Sequence, residues 1–317
     1  MEGVFHRISA WIRSIPPGVM IAAKLGFALA AIVIVTITVD WRTVAAHPDQ
    51  LLVPILAGMA LMVPVMMVTA LRWKLIVGTE TPGNFSFLSA FRGCGIGLFV
   101  NLVLPGVVGG DAVRAHYASV RAQIDYRRAL IVAFTERLFG LLSLCLLAAI
   151  GLGLSDHVER FTQVPAAELT LGLVLAGAII VSGIVLSRRY TQIPLLLFPV
   201  LLVLSLLGQS SDFLLVHYFG RAVSVDIPLE TLLLVIPLVF LASVIPITPG
   251  GHGIREVTLT ALLTLAGIPV GEAALIALML LVTKIGFGLA CGMTLIDGAH
   301  PLRKATEIVT QMTRPSA

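Results

Sequence analysis

Charge is what this chain is short of. Of its 317 residues only 12% are charged and 58% are hydrophobic, whereas a soluble globule carries about 25% charged residues. With a mean hydropathy of +1.02, a water-soluble fold is excluded and a polytopic helical membrane protein is expected. Cysteine is scarce too. Cys94, Cys145 and Cys291 stand singly inside apolar runs with no CxxC spacing, so no disulfide or metal framework is implied and all three read as small buried hydrophobes. The familiar catalytic spacings are also missing: there is no GxSxG, no GxxxxGK[ST], no HExxH and no tight carboxylate cluster. Neither an enzyme nor a cofactor, a metal or a nucleic-acid partner is therefore expected, and any movement of a substrate would be passive or driven by an ion gradient.

What the chain has in abundance is apolar sequence in span-sized runs. The first, Val19–Val39, has 21 residues, enough to cross a bilayer at about 1.5 Å per residue. It lacks a small-x-small cleavage site before Asp40 and reads as an uncleaved span. Complete spans are predicted at 19–39, 51–71, 129–153, 168–186, 194–219 and 272–296, and two further apolar regions, 85–104 and 230–267, are interrupted. The expected fold is an all-α polytopic bundle of two inverted repeats, with six full spans and two broken re-entrant elements. Its segments are a cytoplasmic N-terminal stretch 1–18, a first membrane repeat 19–153, an external loop 154–167, a second repeat 168–296 and a cytoplasmic tail 297–317.

The interruptions resemble each other. The first reads Asn101-Leu-Val-Leu-Pro105-Gly106-Val-Val-Gly109-Gly110-Asp111-Ala-Val-Arg114, the second Pro246-Ile-Thr-Pro249-Gly250-Gly251-His252-Gly253-Ile-Arg255-Glu256. Proline lacks an N–H and glycine a Cβ, so both break helices. In a membrane, broken backbone is tolerated where protein or a wet cavity covers it, and paired breaks in two halves point to a transporter binding site. Pro105 and Pro249 stand 144 residues apart. The same shift carries 19–39 to 163–183, 51–71 to 195–215 and 129–153 to 273–297, each onto a predicted span.

Orientation follows from the bases, which collect on cytoplasmic flanks. Arg7, Arg13, Arg72, Lys74, Arg121, Arg127, Arg128, Arg188, Arg189, Arg303 and Lys304 fall on one side only if 85–104 enters the membrane and returns. Both termini are then cytoplasmic and the second half is inverted.

Charges inside spans cost about 2.5–3.5 kcal/mol each at a helix centre. Lys284 lies mid-span, and Glu136 with Arg137 lies in the equivalent span of the other half. A Glu136–Lys284 pair across the pseudo-twofold axis is expected, either structural or facing a substrate cavity. Arg114 and Arg255 follow the glycine breaks, where a helix start offers free N–H groups and a guanidinium adds a fork suited to phosphate. Asp111 and Glu256 brace those arginines, cap the helices or take up protons. Asn101 meets either an orphan backbone group or a ligand. His252 reads as a bystander. Arg72-Trp73-Lys74 reads as an interfacial aromatic anchor, with contact to anionic head groups as the other possibility.

On these residues the chain resembles the flippase-like family named for the transmembrane region of lysylphosphatidylglycerol synthases. The carriers are Leu71-Arg72-Trp73-Lys74, Asn101-x-x-x-Pro105-Gly106, Gly109-Gly110-Asp111-x-x-Arg114, Glu136-Arg137, and Pro246-x-x-Pro249-Gly250-Gly251-x-Gly253-x-Arg255-Glu256, over about residues 19–296. The resemblance implies an inner-membrane protein that moves or handles lipids, including aminoacylated phosphatidylglycerol. The soluble transferase domain of the synthases is expected to be absent, since the last span ends near residue 296. His252 stands where the family pattern has a small or apolar residue. The leading reading is a lipid translocase for phosphate-bearing or other lipid-linked anionic head groups, with self-association left open. An intramembrane enzyme or accessory subunit acting on a polyprenyl-phosphate or glycolipid, and a small-solute or ion-coupled transporter, are the alternatives.

Overall fold

The computed structural model describes residues 26, 29–30, 32–39, 41, 49–81, 85–103, 108–154, 166–244 and 251–293. All regular structure among them is helical: α1 Asp49–Glu80, α2 Phe87–Val103, α3 Val108–Ala122, α4 Tyr126–Leu154, α5 Ala166–Ser187, α6 Leu197–Ala222, α7 Leu229–Val244, α8 Ile254–Leu265 and α9 Val270–Met293. Within α1, α4, α5, α6 and α9 lie five stretches long and apolar enough to cross a membrane. Of the expected first span, residues 26, 29–30 and 32–39 are described, and 26, 29–30 and 32–37 are helical.

Most span boundaries match the sequence reading within a turn, but α1 does not stop at Leu71. It runs on to Glu80, because the charge at Arg72 that ends the hydropathic run is neutralised inside the protein. Pro54 and Pro64 sit within α1 and Pro237 within α7, where membrane helices accommodate the freed carbonyls through neighbouring groups.

Contacts fix the relative directions of the spans. Arg72 meets Glu136 and Glu80 meets Arg128, so α1 and α4 run antiparallel. Gly58 faces Leu215 and Phe219 while Arg72 reaches Ser205, so α1 and α6 are also antiparallel. Met59 lies beside Gly286 and Met66 beside Cys291, which makes α1 and α9 parallel.

The interrupted regions are pairs of short antiparallel helices. In the first, Gly93 faces Tyr117 and Gly97 faces the Gly110 carbonyl. A Cβ on Gly110 would stand 2.3 Å from the Gly97 carbonyl oxygen, so only glycine permits the approach. In the second, Gly251 abuts Ser243 and Arg255 lies over Phe240. Both α3 and α8 show why they lie where they do: α3 buries Ala115, Ala118 and Ala122 on one face, and α8 buries Leu259 and Leu263. Buried apolar side chains form two clusters, one around Trp73, Ala118 and Phe139, the other around Phe219, Leu232 and Leu259.

Candidate functional site

Two buried charge clusters sit against the short helix pairs. The first gathers on Glu136 of α4, which is 1% exposed. Arg72 donates from Nε and Nη2 to Glu136 Oε1 at 3.0 and 2.9 Å, and from Nη1 to Ser205 Oγ at 2.8 Å. Arg114 of α3 donates to Glu136 Oε2 and lies 3.4 Å from Asp111 Oδ1. Asp111 also accepts from Arg137. The Arg114 guanidinium stacks on Trp73, 4.2 Å from the ring centroid. Three arginines and two carboxylates leave one net positive charge, and both Glu136 oxygens accept charge-assisted bonds. Arg72, Arg114 and Glu136 are largely desolvated, so each depends on its partners: removing one member of a buried pair costs about 3–5 kcal/mol.

The start of α3 is built to keep this cluster in place. The N–H of Gly110, one of the first four that no helix carbonyl can accept, donates to Asn101 Oδ1 at 2.9 Å. Asn101 thus serves an orphan backbone group, one of the two roles read for it. Asp111, in the first turn of α3, also favours the positive helix end.

The second cluster lies between α6, α7, α8 and α9. Lys284 Nζ is 2.5 Å from Asp212 Oδ1, with side chains 14% and 5% exposed. One ring, Phe240, is flanked by two cations: Arg255 Cζ at 4.9 Å and Lys284 Nζ at 5.2 Å from its centroid. Glu256 does not brace Arg255. It accepts the N–H of Gly253 and caps α8, whose entry needs the positive φ of Gly251 (77°) and Gly253 (89°). Among the described residues no carboxylate lies within ion-pair range of Arg255, and its Nε and His252 Nδ1 have no hydrogen-bond partner.

The expected Glu136–Lys284 pair does not form. Both Glu136 oxygens are taken by Arg72 and Arg114, and Lys284 is met by Asp212, which the span reading passed over. Trp73 is not an interfacial anchor either: it is fully buried, because α1 continues beyond it and Arg114 covers its face. Pro105, Gly106, Pro249 and Gly250 lie outside the described residues, while Gly109 sits in the first turn of α3. Asp212, Ser205 and Phe240 were missed. A lone acid inside the apolar run of α6 is the same signal that exposed Lys284; Ser205 and Phe240 carry no such signal.

No curated protein and no solved structure matched the sequence. Residues 21–292 match the family described as the lysylphosphatidylglycerol synthase TM region, a stretch that contains both charge clusters and every helix but the last residue of α9. By that match over most of its length, the chain belongs to the family of the lysylphosphatidylglycerol synthase transmembrane region.

Proposed function

We propose that the protein is a lipid translocase of the inner membrane, which passes phosphate-bearing head groups across while the acyl tails stay in lipid. The observation that carries this reading is Arg255: a partly buried guanidinium at the start of α8, beside a second cation, with no carboxylate in ion-pair range among the described residues. A phosphate supplies the missing anion, and the helix start adds free N–H groups and a positive dipole end. Arg114 is the matching group of the first half. It already holds Glu136 and Asp111, so an anion there trades places with a carboxylate.

An inverted repeat is supported by helix positions. Shifted by 144 residues, the starts of α1, α2, α3 and α4 fall at 193, 231, 252 and 270, against 197, 229, 254 and 270 for α6, α7, α8 and α9. Re-entrance is supported by length: α3 and α8 have 15 and 12 residues, about 22 and 18 Å at 1.5 Å per residue, short of a hydrocarbon core of about 30 Å. A translocase is preferred over an intramembrane enzyme because Glu256, the acid nearest Arg255 in sequence, is committed to capping α8.

Fluorescent phospholipid movement in proteoliposomes tests the reading. Arg255→Ala and Arg114→Ala should each cut movement at least tenfold, and the Lys variants should restore only part, since a point charge cannot grip phosphate bidentately. Zwitterionic and anionic phospholipids should be affected alike. Unmodified rates in both Ala variants would remove the anion-site reading.

A further inference from the structure

The Asp212–Lys284 pair has a counterpart with one chemical difference. Under the 144-residue shift α1 corresponds to α6 and α4 to α9. Each couple is joined by one buried ion pair, Arg72–Glu136 in the first and Lys284–Asp212 in the second, with the signs exchanged. The positions correspond as well. Arg72 and Glu136 shift to 216 and 280, and the observed pair at 212 and 284 lies one turn away along each helix in opposite directions, as antiparallel packing requires. Arginine keeps its proton in proteins, whereas a buried lysine gives one up readily. Glu136 is held by two arginines, but Asp212 has a single cation in ion-pair range among the described residues. One buried pair is therefore fixed in charge and the other can discharge in place.

We propose that Asp212–Lys284 is a proton-carrying site that couples head-group movement to a proton gradient; this rests on the translocase reading. An N–H bond of Lys284 breaks and an O–H bond forms on Asp212, leaving a neutral amine and a neutral acid. Asp212 then releases that proton to water on one side, and the amine takes up another from the opposite side. The surroundings supply the coupling. Besides Asp212, Arg255 and Glu256 of α8 are the charged groups that face the ammonium, Arg255 shares the Phe240 ring with it, and His252 lies in the turn before α8. From α1 and α2, the apolar side chains of Met59 and Leu102 lie against α9. With Arg255 bare, two cations flank one ring. A phosphate on Arg255 offsets one of them, so anion and proton are held together, as reciprocal linkage demands.

The test uses proteoliposomes containing the full chain, a fluorescent phosphatidylglycerol and a lumenal pH dye. Wild-type protein should move lipid at least threefold faster under an imposed gradient of two pH units, with a lumenal pH change that tracks lipid movement. In Lys284→Arg the ratio of rates with and without the gradient should fall to one, whatever the basal rate, because arginine cannot release the proton. Asp212→Asn, which leaves the lysine without its acceptor, should flatten the ratio in the same way. A Lys284→Arg ratio equal to that of wild type overturns the coupling. So does wild-type movement that ignores the gradient and leaves lumenal pH unchanged, with the translocase reading intact. Wild-type protein that moves no phospholipid under either condition overturns the translocase reading and the coupling with it.

Discussion

Single side chains decide the charge pairing, and a double-mutant cycle reads it directly. Lys284→Met leaves Asp212 buried and unpaired, and Asp212→Leu strands Lys284; each should cost about 3–5 kcal/mol. The double variant should recover much of that loss in folded yield and melting temperature in detergent. Combining Lys284→Met with Glu136→Gln should instead give additive losses, because the two belong to different clusters. Additive losses for the Asp212–Lys284 couple would contradict the pairing. At this scale the sequence announced which residues are costly but not which of them meet. Glu136 and Lys284 stood out because each breaks an apolar run, and the repeat suggested joining them. The partners are set by helix packing instead: α1 brings Arg72 and α3 brings Arg114 to Glu136, and no one-dimensional pattern records that.

Elements carry a different constraint, the closeness of α2 and α3. Gly110→Ala would force its new methyl against the Gly97 carbonyl and the Asn101 amide. Overpacking of this kind costs about 1–3 kcal/mol, and it also displaces the Asn101 bond to the start of α3. Gly110→Ala should therefore melt well below the unmodified protein. Gly78→Ala, in a helix position with open space around it, should melt no lower and serves as the control. Equal melting of the two variants would show that the helix pair relaxes without loss. The break itself was legible in the sequence, since proline and glycine interrupt helices for local reasons. The reach of α1 was not: hydropathy ends at the first charge, whereas the helix ends where its charges run out of partners, at Glu80. That carboxylate accepts the Gln192 N–H at 2.8 Å and faces Arg128 at 3.7 Å, so three segments are tied together at one end of the bundle.

For the whole molecule the open quantity is orientation. Exposed Arg188 lies at the end of α5 and exposed Asp226 follows α6, at opposite ends of neighbouring spans. In a cysteine-free background, an impermeant thiol reagent added to intact cells should label Asp226→Cys and spare Arg188→Cys. The reverse pattern would invert the proposed topology. The excess of Lys and Arg on one set of flanks made this expectation possible from sequence, because flank charge is a property of chain order and needs no tertiary contact.

The chain order of the first cluster also bears on biogenesis. Arg72, Asp111 and Arg114 all precede Glu136, so every partner of the buried glutamate has been synthesised before α4 leaves the ribosome. A nascent chain that stops short of α4 holds two arginines against Asp111 alone. One that reaches Leu154 contains the complete set. Integration of α4 is thus the step at which the buried glutamate meets both of its arginines, and the same sequence of events recurs when α9 brings Lys284 to a waiting Asp212.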